Sequence, residues 1–457
     1  MEHIFSHIES NRALFLNELK EFLSIPSISS QTDHNNETRR CAKWVSDHMH
    51  SIGMQNVRMF ETSGHPIVYG EWMKHPEGPT VLCYGHYDVQ PVDPLDLWTS
   101  PPFEATIRGK NLYARGAEDD KGQVFILLKS IEACMKNLGG LPVNIKMLIE
   151  GEEEIGSIHL KDFLNTNKRL LKADLALVSD TSMFDRDLPS VCYGLRGLAF
   201  VEMEVTGPNK DLHSGAFGGA LHNPIQALCE IIGGLHDEKG RVTIPGFYDA
   251  VLPLTDRERD AFKALPHSDE TFAKKVGVKR LYGEKGFSTL ERLWARPTLE
   301  CNGIWGGYTG EGAKTVLPSK AYAKLSMRLV PDQDPVSIAR SFSEHIKHIV
   351  PETIKVKVNS IAGSEPVLTQ IDSPWIKAVI AALKKGFGRE PVYQREGGSI
   401  PVVAQLKKIL ELDPVLVGFG LPDGNAHAPD EYINLDNLFS GIRTLIYFYH
   451  ELSSFRT

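Results

Sequence analysis

Short apolar runs closed by acids or a histidine recur in the first 180 residues and return near the C-terminus. Val81-Leu82-Cys83-Tyr84 leads into Gly85-His86-Tyr87-Asp88. Met147-Leu148-Ile149 ends in Glu150-Gly151-Glu152-Glu153-Glu154, and Leu175-Ala176-Leu177-Val178-Ser179 ends in Asp180. Pro414-Val415-Leu416-Val417-Gly418 leads toward Asn425-Ala426-His427. Runs this short read as strands. Between them Gly122–Asn137 predicts an apolar helix, with Asp119 and Asp120 just before it. Acids are favoured there by exposed N–H groups and the helix dipole. Strand and helix in alternation from about 65 to 180 predict a largely parallel sheet. Residues 1–60 read as helices, with the apolar positions of Cys41–Met49 at helical spacing.

The pattern changes near Gly194. Gly197–Val205 alternates apolar and polar residues, as a half-exposed antiparallel strand does, and Lys320–Leu329 alternates again. Pro224–Leu235 reads as a helix. The stretch from about 236 to 300 is polar and interrupted by Pro245, Pro253, Pro266 and Pro297, and is expected to be irregular. From about 365 the first pattern resumes: helices Pro374–Lys385 and Pro401–Leu410, a strand Pro414–Gly420, and a final helix Leu435–Leu452. The expected architecture is α/β, a mostly parallel central sheet flanked by helices. It divides into a discontinuous domain, 1–195 and 363–457, and an inserted α+β domain, 196–362.

Composition narrows the class. The chain has 457 residues, more than one core usually holds. Its 58 acidic and 50 basic residues leave a formal charge of −8, with no polybasic run, which argues against a nucleic-acid partner. No apolar stretch approaches the ~18 residues of a membrane helix. The N-terminal stretch carries acids where a signal peptide has a basic segment and an apolar core, and the six cysteines are dispersed without a CxxC pair. Reduced core cysteines and a cytoplasmic location are expected.

The acids and histidines carry the chemistry. In an open α/β sheet, ligands gather at the carboxyl ends of the strands, and that is where these clusters fall. Singly, each has a plain reading. His86 and Asp88 fit a surface turn, Asp119-Asp120-Lys121-Gly122 a helix cap, Glu150–Glu154 a solvated acidic turn, and His427 a loop. His86 and Asp88, two apart, also fit a metal ligand and the carboxylate that orients it. Two adjacent glutamates can divide the roles of ligand and proton-shuttling base. Gathered at one edge, they make a mixed nitrogen and oxygen ligand set without cysteine. That suits zinc or another borderline divalent ion in a catalytic site.

In this order, the motifs resemble the dinuclear zinc metallopeptidase family that holds carnosinases, cytosolic non-specific dipeptidases, aminoacylases and acetylornithine deacetylase. The resemblance covers nearly the whole chain. It implies two divalent ions per subunit, zinc or else manganese or cobalt. It implies His86 and Asp180 on one ion, Glu154 and His427 on the other, and Asp119 bridging them. Glu153 would be the general base, Asp88 the residue behind His86, and the Asp119–Asp120 peptide cis. The family places its functional pair one residue before Gly-Ser, here Gly156-Ser157, so the resemblance implies Glu153 and Glu154 over Glu152. Arg395-Glu396-Gly397-Gly398-Ser399-Ile400-Pro401 and Gly85-His86-Tyr87-Asp88-Val89-Gln90-Pro91 resemble the carnosinase and cytosolic dipeptidase branch. There Arg328 and Ser399, with Glu396 beside them, would hold the substrate's C-terminal carboxylate, and His213 would reach a partner's active site in a homodimer formed through the inserted domain. The expected activity is metal-dependent hydrolysis of dipeptides or short peptides, with an N-acyl amino acid deacylase as the alternative.

Overall fold

The computed structural model describes residues 1–455. The chain forms two compact units. One comprises Met1–Tyr193, Thr369–Gln394 and the chain from Pro401 on, and the other Gly194–Leu368 with Arg395–Ile400. The division expected from the sequence placed the ends of the second unit at 196 and 362 and left Arg395–Ile400 with the first.

In the first unit, four central strands run parallel, in the order Asn144–Glu150, Thr80–His86, Leu175–Val178 and Asp413–Leu416. Asn144–Glu150 and Leu175–Val178 are buried at every residue and Thr80–His86 at all but Thr80. Strands buried on both faces between helices need continuous apolar sequence, and this is what the short runs supply. Antiparallel strands Ile67–Trp72 and Gln55–Phe60 extend the sheet on one side, and Ser190–Leu195 pairs antiparallel with Asp413–Leu416 on the other. The expectation of helix up to residue 60 is corrected by Gln55–Phe60. Its half-buried Val57 and Met59 alternate with exposed Asn56 and Arg58, a period of two at a sheet edge.

Helix Lys121–Leu138 lies on the sheet with every residue from Lys121 to Cys134 buried, and ends where Gly139 turns left-handed at φ 70°. Helix Leu435–Leu452 packs against it and against Pro374–Phe387. The predicted strand Pro414–Gly420 stops at Leu416. Beyond it the chain passes so close to Thr181 that a Cβ on Gly418 would lie 1.5 Å from the Thr181 carbonyl oxygen. Only glycine allows that approach.

The second unit is a four-stranded antiparallel sheet in the order Thr298–Gly306, Lys320–Leu329, Gly197–Thr206, Lys355–Ser364. Alternate residues of Gly197–Thr206 are buried, as the alternating sequence requires. Helices Pro224–Gly233 and Pro335–Ile349 cover the sheet, joining Val201, Met203, Leu325 and Met327 to Leu228, Phe342 and Ile346 in one core. The stretch expected to be irregular contains three short helices, Asp256–Ala264, Asp269–Lys275 and Thr289–Trp294. Thr255 with Glu258, and Ser288 with Glu291, form capping boxes at two of them. Prolines dominated the reading of this stretch, and these local start signals outweigh them.

Of the six cysteines, Cys229 and Cys301 are exposed and the other four buried, so the expectation of core positions fails for those two. Among the described residues, no helix is long and apolar enough to cross a membrane.

Candidate metal centre

His86 ends its strand beside Glu150, and the turns after Glu150 and Val178 carry Glu153, Glu154 and Asp180 to the same sheet edge. Asp119 precedes helix Lys121–Leu138, across a cis peptide to Asp120. Asp120 holds the N-cap position, yet its side chain makes no cap bond. Its Oδ2 instead accepts the backbone N–H of His86 at 3.1 Å. The acids before the helix therefore serve the strand end instead of capping the helix.

The donor atoms fall into two triads, His86 with Asp119 and Asp180, and Asp119 with Glu154 and His427, each with its ligand atoms within 4.8 Å of one another. Asp119 belongs to both. Its Oδ1 lies 3.1 Å from His86 Nε2 and its Oδ2 2.9 Å from His427 Nε2. Asp180 Oδ1 lies 4.0 Å from His86 Nε2, and Glu154 Oε2 lies 3.1 Å from His427 Nε2. One carboxylate thus presents one oxygen to each side.

Asp88 is buried behind His86, whose Nδ1 lies 3.1 Å from the Asp88 carbonyl and 3.3 Å from its carboxylate. A donor bond from Nδ1–H leaves Nε2 with its lone pair toward the triad. The same carboxylate accepts the backbone N–H groups of Glu153 and Glu154, at 3.2 and 3.1 Å. Asp88 therefore fixes the turn that carries both glutamates as well as the imidazole. Glu152 faces elsewhere. It accepts the N–H groups of His65 and His159 at 3.1 and 3.2 Å, and pairs with the His159 ring.

The electrostatics describe a centre short of positive charge. Burial pushes Asp180 well above the usual carboxylate range, and the neighbouring Asp120 and Asp119 add to it. Burial also pushes Glu153 up to about 8, against the pull of His86 and with the repulsion of Glu154 and Asp119. His427 is held up to about 10 by its hydrogen bonds to Asp119 and Glu154, against burial. Buried acids repel one another unless protons or cations intervene. In this protein the imidazoles take that part. Two nitrogen and three carboxylate donors, one of them shared, fit a pair of divalent cations with borderline preference.

A pH dependence follows. Metal ligation requires neutral imidazole and ionised carboxylate. Below about 10 the metal-free His427 is protonated, and the raised Asp180 and Glu153 hold protons in the same direction. Binding of a divalent ion at neutral pH would therefore release protons, and its affinity should increase with pH. Zinc competition against a chelator of known pH behaviour should show roughly tenfold tighter binding per pH unit for each proton released. A dissociation constant that stays level between about pH 6.5 and 8.5 would contradict the arrangement.

The remaining expected residues lie in the second unit. Arg328 Nη1 donates to Ser399 Oγ at 2.9 Å, and Ser399 Oγ donates to the Arg196 carbonyl at 2.5 Å. Glu396 is half-buried, and its carbonyl accepts the Arg196 N–H at 3.3 Å. His213 is exposed, and its Nδ1 accepts the Gly215 N–H at 3.0 Å. It belongs to neither triad.

Sequence reading missed several residues that support the centre. Gln90 Nε2 donates to Glu154 Oε2 at 2.8 Å. Glu431 accepts the backbone N–H of Asp119 at 3.0 Å. Gln90 lies two residues after Asp88 and Glu431 four residues after His427. Nothing in a single glutamine or acid marks it as the support of a distant ligand.

Residues 82–451 match peptidase family M20/M25/M40, and the chain belongs to that family. Its relatives include the Cys-Gly metallodipeptidase of Schizosaccharomyces pombe, 33% identical over 99% of this chain and 98% of that one. The human Beta-Ala-His dipeptidase is 32% identical over 99% of this chain and 93% of that one. The crystal structure of human carnosine dipeptidase 1 aligns with a TM-score of 0.85, at 31% identity, over 99% of both chains. An M20 family metallo-carboxypeptidase from Sulfolobus solfataricus aligns at 0.87, with 35% identity, over 96% of this chain and 99% of that one.

Proposed function

We propose that this protein hydrolyses dipeptides with a free C-terminal carboxylate, using two divalent metal ions, zinc in the first instance, bound by His86, Asp119, Glu154, Asp180 and His427. The observation that carries the reading is the division of the Asp119 carboxylate, one oxygen toward each histidine. Relatives at about a third identity over the full length are dipeptidases, which favours this activity over the deacylase alternative.

When bound, such a pair of cations polarises the scissile carbonyl and acidifies the attacking water to near neutral pH. Glu153 takes the proton of that water and returns it to the leaving amine. Asp88 keeps His86 in the tautomer that leaves Nε2 available, and keeps Glu153 and Glu154 on one turn. Arg328 and Ser399 hold the substrate's carboxylate, since a guanidinium fork matches its two oxygens. Glu396 lines that subsite. His213 of a second subunit stabilises the oxyanion in a homodimer formed through the second unit. The acidic, dispersed-cysteine composition suits a cytoplasmic enzyme.

The test is a substrate panel on metal-stripped protein restored with zinc, manganese or cobalt. It includes dipeptides, the same dipeptides as C-terminal amides, N-acetyl and N-succinyl amino acids, and N-blocked longer peptides. Dipeptides should be cleaved, and amidation of the C-terminus should cost about 10–100-fold in kcat/KM, the worth of a charged hydrogen bond. Arg328→Met should raise KM by a similar factor and remove the preference for the free acid. Faster turnover of N-acyl amino acids or of N-blocked peptides would replace the proposal with a deacylase or a carboxypeptidase.

A further inference from the structure

Glu431 is completely buried and lies in the loop that carries His427. Its carboxylate is saturated. Oε2 accepts Arg115 Nη1 at 2.6 Å and the Gly116 N–H at 2.9 Å. Oε1 accepts the N–H groups of Glu118 and Asp119 at 2.9 and 3.0 Å. An ionised carboxylate has about four lone-pair positions, and one loop, Arg115–Asp119, fills them all.

The main chain repeats the connection. The Glu431 carbonyl accepts the Ala114 N–H at 3.1 Å, and Tyr432–Asn434 pairs antiparallel with Asn111–Tyr113. Arg115, only 1% exposed, also donates to the Pro91 carbonyl at 3.0 Å, near the strand end that carries His86 and Asp88. A buried carboxylate is costly unless its oxygens are fully bonded. An apolar residue would fill the same space without that cost, but it could not align the three N–H groups of Gly116, Glu118 and Asp119. The bonds fix the peptide that begins Asp119, which aims both Asp119 oxygens.

We propose that Glu431 is a positioning residue of the metal centre. It holds the Asp119 loop in register with the His427 loop, so that one carboxylate meets both histidines. The inference rests on Asp119 being the shared ligand. Its function is to set metal affinity; the residue touches neither substrate nor metal. A carboxamide in its place accepts on one side only. It would leave either Gly116 and Arg115 or Glu118 and Asp119 without an acceptor, and the Asp119 carboxylate would turn from one histidine.

The experiment measures stepwise zinc binding to metal-stripped wild type and Glu431→Gln by competition with a chromophoric chelator. The visible spectrum of the cobalt-loaded proteins, circular dichroism and thermal melting of the metal-free forms accompany it. Glu431→Gln should bind zinc about 10–100-fold more weakly, the usual effect of removing an outer-shell partner. Its cobalt spectrum should change and its metal-free fold should persist. Wild-type zinc affinity together with a wild-type cobalt spectrum would overturn the inference, even if the melting temperature fell. If Glu431→Gln does not fold, Glu431→Asp decides by the same measurement. It keeps the charge but is one methylene too short to reach both sides, and unchanged zinc affinity there overturns the inference equally. Wild type binding fewer than two zinc ions would overturn the shared-ligand reading, and the inference with it.

Discussion

Glu153→Gln is expected to lower kcat by about 10²–10⁴-fold, the range for loss of a general acid–base group, with two metal ions still bound. The glutamate sits in the turn held by Asp88, next to Glu154 but outside both triads. Gln is nearly isosteric, keeps the backbone N–H that Asp88 accepts, and cannot take a proton. In the metal-free protein burial holds the Glu153 carboxyl up to about 8. Divalent cations held by the neighbouring triads would draw that value down, leaving Glu153 ionised and able to accept a proton at neutral pH. Metal content by elemental analysis separates this role from ligation. A variant that turns over like wild type, or one that has lost its metal, would remove Glu153 from the role of base.

Asp119→Asn should be at least as damaging, for a different reason. The amide loses the negative charge that both sides share, and keeps one acceptor oxygen where the carboxylate has two, now 3.1 and 2.9 Å from His86 and His427. Both metal sites should weaken together, and activity should fall by about four orders of magnitude, the upper end for a single catalytic group. Asp180→Asn provides the contrast, because Asp180 belongs to one triad alone. It should weaken one ion and spare the other. Zinc titrations of the two variants against wild type test this. Wild-type affinity for either ion in Asp119→Asn would show that its carboxylate is not shared.

Much of the centre was legible from the order of the chain. Buried parallel strands force apolar runs, so the polar residue that ends each run stands out. His86 and Asp180 were found that way, and Glu153 and Glu154 from the turn after another run. The register within Glu152–Glu154 was harder, since three identical residues carry no distinction of their own. Structure separates them through His65 and His159, which bind Glu152 from remote segments. Locally Asp119-Asp120 fits a helix cap, but the Asp120 side chain finds the His86 N–H instead. The capping boxes at Thr255 and Ser288 went the other way, present in the sequence and passed over beside prolines.

By itself the sequence determined the alternation of strands and helices, the two textures of the two units, and the kinds of donor atom at the sheet edge. These depend on periodicity and residue chemistry, which are local. Tertiary structure alone decided which oxygen of Asp119 meets which histidine, and that Glu431 holds the Asp119 loop from beyond His427. Those facts depend on contacts between segments far apart in the chain, and no spacing along it encodes the direction of a side chain when the sheet brings them together.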